Sequence, residues 1–125
     1  MIMYTVSYIE RKTFVRFDDN HYLLYLNEEK AEVKNEETGE SVQGFAYTGS
    51  HPDGGTLVEA KGVTDENRRA KFVAGLIGTE HDINSQIAIL ANGTDTDQHA
   101  EELKAFEDNR RTVKSAIDEL LSREV

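Results

Sequence analysis

The apolar residues of this chain change their spacing near its midpoint, and this change constrains the fold most strongly. Before residue 44 they mostly alternate along the sequence, as in β-strands, whereas after residue 60 they recur at helical intervals. The segment between, residues 44–60, contains the one proline of the chain. We therefore expect this segment to join a β-rich half, residues 1–62, to a helical half, residues 63–125, within a single domain.

The β-rich half predicts an antiparallel sheet, a meander of about five to six strands, because its short apolar runs are separated by short polar turns. The run from His21 to Leu26 is continuously apolar, which indicates a strand buried on both faces. Residues 44–60 are expected to form a long hairpin or connection that leads into the helices. The predicted strands cover residues 2–9, 13–17, 21–26, 30–35, 42–48 and 56–61.

Three helices are predicted in the second half, so the expected fold class is α+β. Thr64 is a suitable N-cap for the first helix, Asp82 for the second, and Asp95 or Thr96 for the third. The third helix is expected to be the longest and to run to about Leu121.

The third predicted helix carries an apolar stripe at heptad spacing, interrupted once by an arginine. Two interpretations are open: the stripe faces the core of the domain, or it is an interaction seam through which the protein forms a homo-oligomer. The residues of this stripe are Leu103, Phe106, Arg110, Val113, Ile117 and Leu120.

The first predicted strand is a second candidate interaction site. It carries no charged residue before Glu10, so it would be poorly protected at the edge of a sheet. An edge strand of this kind can accept a strand from a partner. Tyr4, Val6 and Tyr8 are the residues of the candidate edge strand.

The charge of the chain limits its partners. It has 14 basic and 24 acidic residues, a formal net charge of −10. Such a surface repels phosphate backbones, so we do not expect nucleic acid as a partner. The sequence has no cysteine, no pattern of a signal peptide and no apolar run of the roughly 20 residues that cross a bilayer. We therefore expect a cytoplasmic protein without a membrane partner.

The residues that usually carry chemistry show no catalytic or ligand-binding pattern. The four histidines lack the local spacing of a metal motif. The segment Asp53–Thr56 lacks the lysine of a phosphate-binding loop and precedes a predicted strand rather than a helix. We therefore predict no catalytic, cofactor-binding or metal-binding residue, and a protein that is not an enzyme.

Four segments carry a resemblance: residues 44–49, 53–60, 72–77 and 87–93. They resemble a set of small uncharacterised proteins of gut Bacteroides-type bacteria, some of them in prophage-like regions. Residues 87–116 also resemble the helical segments of phage tail-fibre accessory proteins, in which an acidic helix carries a phenylalanine followed by a basic stretch. Here these are Phe106 and Arg110–Arg111. The resemblance implies a structural or assembly role beside a phage-type particle, in the cytoplasm or on a virion.

Three functional hypotheses follow. The first is a non-enzymatic structural or assembly protein, associated with a phage or another mobile element, that acts through contacts with a protein partner or with itself. The second is an acidic inhibitor or immunity-type protein that covers a basic site on an enzyme. The third is an enzyme that uses tyrosine and histidine residues on the face of the sheet, which would require a concave pocket with convergent polar groups.

Overall fold

The computed structural model describes residues 2–124 and has the predicted α+β fold, with six strands followed by three helices, the last of them the longest. The strands are β1 (Tyr4–Tyr8), β2 (Phe14–Asp18), β3 (His21–Leu24), β4 (Glu29–Lys34), β5 (Ser41–Gly49) and β6 (Thr56–Glu59). The helices are α1 (Arg68–Gly78), α2 (Ile83–Asn92) and α3 (Asp97–Ser122).

The six strands are divided between two antiparallel sheets, with strand orders β1-β5-β4 and β2-β3-β6. The pairs β2–β3 and β4–β5 are neighbours in sequence, as a meander requires, whereas β1 pairs with β5 and β3 pairs with β6. Turn residues favour pairing between consecutive strands, but they carry no information about these two long-range pairs.

The segment at the midpoint is a connection between the two sheets, since β5 belongs to one sheet and β6 to the other. Its loop closes through two backbone hydrogen bonds of 2.9 Å, from His51 N–H to Gly55 O and from Gly54 N–H to His51 O. Gly54 has a φ of 88°, a left-handed conformation that other residues rarely adopt.

β3 and the two residues that follow it supply both hydrophobic cores. Leu24 and Leu26 pack in the larger core, between the second sheet and the helices, whereas Leu23 and Tyr25 pack with Tyr47 in the smaller one. The continuous apolar run is therefore buried on both faces, as the sequence predicts, because alternate side chains enter different cores.

The larger core is closed by α1 and α3. Its members from these helices are Phe72, Val73, Ile77, Phe106, Val113, Ile117 and Leu120. Arg69 on α1 also donates to Asp118 on α3, with an Nε–Oδ1 distance of 2.6 Å. Because both side chains of this ion pair are about half exposed, we attribute the helix pairing mainly to the apolar contacts.

The helix starts follow the predicted caps in two of three cases. Asp82 accepts a hydrogen bond from Ser85 N–H at the start of α2, and Thr96 accepts one from His99 N–H at the start of α3. The first helix begins later than expected, at Arg68, with Asn67 as its N-cap. Thr64 instead closes a turn with Asn67, whose side chain accepts from Thr64 N–H at 2.6 Å.

Gly75 allows α1 to approach β6 closely. A methyl group at this position would lie 2.5 Å from the carbonyl oxygen of Glu59 and 3.2 Å from Val58 Cβ. Gly78, at the end of the same helix, has no such neighbour within 4 Å.

We expect Gly75→Ala to lower the free energy of unfolding by about 1–3 kcal/mol, because the helix must move away from β6. Gly78→Ala is the matched control and should leave stability unchanged or raise it by up to about 1 kcal/mol, through the higher helix propensity of alanine. Urea unfolding of both variants measures the difference. Equal effects of the two substitutions would contradict the proposed close packing.

Candidate interaction surfaces

The α3 stripe predicted as a possible interaction seam is largely covered by the protein itself. Its four core members are at most 6% exposed: Phe106, Val113, Ile117 and Leu120. Leu103 is half-buried, and Arg110 is exposed beside the stripe. The seam prediction is corrected for the four buried residues, because the apolar side chains of α1, β3 and β6 contact the stripe within the same chain.

The first strand, predicted as a possible edge, lies at an edge of its sheet. β1 pairs with β5 along its whole length, from Tyr4 opposite Gly49 to Tyr8 opposite Phe45. Tyr4 is 36% exposed, whereas Val6 and Tyr8 are half-buried. The Tyr8 hydroxyl donates to the carbonyl oxygen of Asp53, so this end of β1 is held by the loop between the sheets.

The two edges of this sheet differ in charge. β4, the opposite edge, has the sequence EKAEVK and exposes all four of its charged side chains. β1 has the sequence YTVSY, without charge, and exposes Thr5 and Ser7 on one face. Charged side chains are a common protection of edge strands against pairing with other chains. β4 has this protection and β1 lacks it.

A cleft of about 300 Å³ lies between the start of β1 and the helices. Met3, Leu26, Leu76 and Val113 contribute apolar surface to it, and Glu80 and Asn109 contribute polar groups. Asn109 donates to Glu80 at 2.9 Å, while its own buried Oδ1 has no hydrogen-bond partner among the residues that the structure describes. The volume is at the lower limit of typical ligand sites and suits one or two side chains.

α2 presents an exposed apolar stripe to the surface. Ile83, Ile87 and Leu90 are 66%, 58% and 57% exposed, and within the described chain this helix has no fully buried residue. Their spacing places all three on one helix face. Sequence reasoning assigned these residues to a helix but did not identify the stripe as a surface. The available signal was the absence of charged residues from 83 to 92.

A polar cluster around Asp53 fixes the loop between the sheets. The Tyr25 hydroxyl donates to Asp53 Oδ2 at 2.7 Å, and Gly55 N–H donates to Oδ1 at 2.8 Å. His51 Nδ1 lies 2.9 Å from the same Oδ1. Both carboxylate oxygens are therefore engaged within the loop and β3 region, which supports a structural role for the His–Asp pair.

The same contacts explain the pKa values in this cluster. Burial alone would raise the pKa of Asp53, but the hydrogen bonds from Tyr25, Gly55 and His51 favour the charged form, and the net effect lowers this pKa. Burial and the hydrogen bond to Asp53 raise the pKa of the Tyr25 phenol. The cluster is thus stabilised as a carboxylate with a neutral phenol.

A second polar cluster attaches the end of α3 to the strands. The side chain of Arg123 is only 2% exposed and donates through Nη1 to the carbonyl oxygens of Tyr25, at 2.6 Å, and Lys12, at 3.1 Å. It also forms an ion pair with Glu119 at 2.8 Å and lies 3.5 Å from Glu28. Arg123 therefore satisfies the backbone carbonyl oxygens of two segments that are far from it in the sequence.

Glu28 connects this second cluster to the smaller core. It accepts hydrogen bonds from Arg11 and from the hydroxyl of Tyr47 at 2.8 Å. Burial opposes the charge on Glu28, but these two donors and Arg123 outweigh it, and the pKa of Glu28 is lowered. Burial, together with the charge of Glu28, raises the pKa of Tyr47 to about 12.

The described part of the chain contains neither a candidate metal site nor a membrane-spanning helix that would indicate a function. Within residues 2–124, no three histidine or acidic side chains converge in a way that could hold a metal ion. In the same part of the chain, no helix has both the length and the apolar composition to cross a bilayer.

Comparisons of the chain with protein-family models, with curated proteins and with solved structures find no match. The support for a function therefore comes from the surfaces described above.

We expect Arg123→Ala to lower the free energy of unfolding by about 3 kcal/mol, because the carbonyl oxygens of Tyr25 and Lys12 lose a charged donor and Glu28 loses an ion-pair partner. Arg110→Ala on the exposed side of the same helix is the control and should change stability by no more than about 0.5 kcal/mol. Denaturant unfolding at neutral pH compares them. Similar losses in the two variants would show that Arg123 does not anchor α3.

The lowered pKa of Asp53 makes stability depend on pH. Because this pKa is lower in the folded than in the unfolded state, its contribution is present above the unfolded value and is lost as pH falls through the folded value. Asp53→Asn should therefore be less stable at neutral pH and should lose less stability between about pH 5 and pH 3. Asp19→Asn, at a side chain that is 92% exposed, should keep the wild-type pH dependence. Thermal melts across this pH range measure the effect. If the melting temperatures of both variants changed with pH as that of the wild type does, the assignment of this pH dependence to Asp53 would be contradicted.

Proposed function

We propose that this chain is a non-enzymatic interaction protein that binds an extended segment of another protein along β1. The observation that carries the proposal is the contrast between the two edges of the first sheet. β4 exposes four charged side chains, whereas β1 exposes uncharged ones. An added strand gains backbone hydrogen bonds along an edge of this kind without desolvating a charged side chain.

The cleft beside β1 supports the same mode of binding. In strand addition, the backbone supplies affinity and pockets for alternate side chains supply specificity. Met3 lies directly before β1 and lines the cleft, together with Leu26 and Leu76. A partner strand that continues past Tyr4 would bring a side chain to this cleft, where an apolar residue would be preferred.

The biological setting belongs to the proposal as well. The resemblance of residues 87–116 to helices of phage tail-fibre accessory proteins supports an assembly role in a phage or another mobile element. Strand addition suits such a role, since it joins components without any catalytic group. The protein would then act in the cytoplasm or on a virion.

The alternative, an acidic inhibitor of a basic enzyme site, has its support in the net charge of −10. An inhibitor of this kind requires acidic side chains concentrated on one face. Exposed acidic residues here belong to elements of both sheets and to α3, including Asp18, Glu32, Glu59 and Glu107. This distribution favours solubility over mimicry of an acidic polymer.

Selection of random peptides on the immobilised protein tests strand addition. We expect the selected peptides to shift the backbone amide resonances of Tyr4–Tyr8 in NMR spectra and to carry an apolar residue for the cleft. Tyr4→Lys should weaken their binding at least about tenfold, because a charge then occupies the unprotected edge. Glu32→Lys on β4 is the control and should bind as the wild type does.

Peptides that perturb β4 or the helices instead of β1 would overturn the proposal. It would also fail if no peptide bound more tightly than its scrambled version. Loss of binding at high salt, combined with selection of basic peptides, would favour the inhibitor alternative.

A further inference from the structure

We propose that the exposed stripe of α2 is the contact surface of a symmetric dimer, in which α2 packs antiparallel against α2 of a second copy of this chain. The stripe consists of Ile83, Ile87 and Leu90, each more than half exposed. This surface is separate from the β1 edge, so the inference does not depend on the strand-addition proposal.

α2 packs on the rest of the protein through its other face, so the stripe faces solvent. Gln86 and Ile89 are the half-buried residues of the helix, and Ile89 packs against the larger core. Gln86 donates from its amide to the carbonyl oxygen of His81 at 2.9 Å. The inward face of α2 is therefore mixed in polarity, while the more apolar face contacts solvent. Such an arrangement is typical of an interaction surface.

The charge distribution favours a second copy of this chain as the partner that covers the stripe. The chain has a net charge of −10, so two copies repel each other over most of their surfaces. α2, with the sequence INSQIAILAN, carries no charged side chain. Two copies can therefore meet along this helix without placing like charges in contact. A basic partner would gain no ion pair on this face and would be drawn to the acidic parts of the surface instead.

The stripe also has the symmetry that a two-fold contact requires. In a two-fold interface the same patch faces itself in opposite directions. With the axis near Ile87, Ile83 of one copy lies opposite Leu90 of the second copy, and the reverse contact repeats the match. The antiparallel arrangement also aligns the two helix dipoles in opposite directions, which is favourable.

The size and the ends of α2 predict how such a dimer behaves. Three side chains from each copy cover much less than the roughly 800 Å² per partner of a standard interface, so the dimer should form in a concentration-dependent way. Asp82 and Asp95 flank the two ends of the helix and bring acidic groups of the two copies near each other. Added salt should therefore strengthen association, because it screens this repulsion and breaks no ion pair in the contact.

Sedimentation equilibrium of the full chain at several protein concentrations, in about 0.02 M and about 0.5 M NaCl, tests the proposal. We expect a monomer–dimer equilibrium whose association constant rises with salt. Ile87→Asp should lower that constant at least about tenfold, since it buries a charge at the two-fold axis. Ser115→Asp, which adds the same charge at an exposed site on α3, should leave it within about twofold of the value for the wild type. Circular dichroism verifies that both variants fold.

Cysteine cross-linking provides an independent measurement, because the chain has no natural cysteine. Under mild oxidation, Ile87→Cys should form a covalent dimer much faster than Ser115→Cys. A protein that stays monomeric at all concentrations overturns the proposal. So does a dimer that Ile87→Asp leaves intact, a dimer that salt dissociates, or equal cross-linking at the two positions. Peptide binding at β1 by the Ile87→Asp variant separates failure here from failure of strand addition.

Discussion

The packing of residues 23–26 is the constraint on which the rest of the structure depends. Their side chains alternate between two cores, with Leu24 and Leu26 on the helix side and Leu23 and Tyr25 on the side of Tyr47. A shift of one residue in the register of this segment would exchange the two sets and place Tyr25 among the aliphatic side chains of the larger core. The position of one short segment therefore sets the relation between the two sheets.

Tyr25 extends this constraint to the polar clusters. Its N–H donates to Thr13 O at 2.9 Å, its carbonyl oxygen accepts from Arg123, and its hydroxyl donates to Asp53. The same residue thus positions the end of α3 and the loop between the sheets. Because that loop also holds Tyr8 at the end of β1, the geometry of the edge strand depends on the packing of Tyr25.

The sequence predicts the local elements well, because strand alternation, turn residues and the N-caps Asp82 and Thr96 act over a few positions. It does not specify the pairing of β1 with β5 or of β3 with β6, which depends on contacts between residues far apart in the chain. The spacing of Phe106, Val113, Ile117 and Leu120 is compatible with a core stripe and with an interaction seam, and the tertiary contacts distinguish the two. The absence of charge from β1 is visible in its sequence, but its position at an edge of the sheet depends on the long-range pairing with β5. The α2 stripe was not recognised as a surface, because its residues are of the kind that usually form a core.

The orientation of α2 is physically informative, because the chain had an alternative. A rotation of the helix about its axis would bury Ile83, Ile87 and Leu90 against the body and expose Gln86, as in an ordinary amphipathic surface helix. The structure instead turns the weaker apolar face, with Gln86 and Ile89, toward α3 and the core. Each outward side chain forgoes part of the roughly 1.5–3 kcal/mol that full burial would contribute. A helix oriented in this way forgoes stability in the monomer that a covering surface would restore. In the proposed dimer, the uncharged α2 face of a second copy would provide that surface.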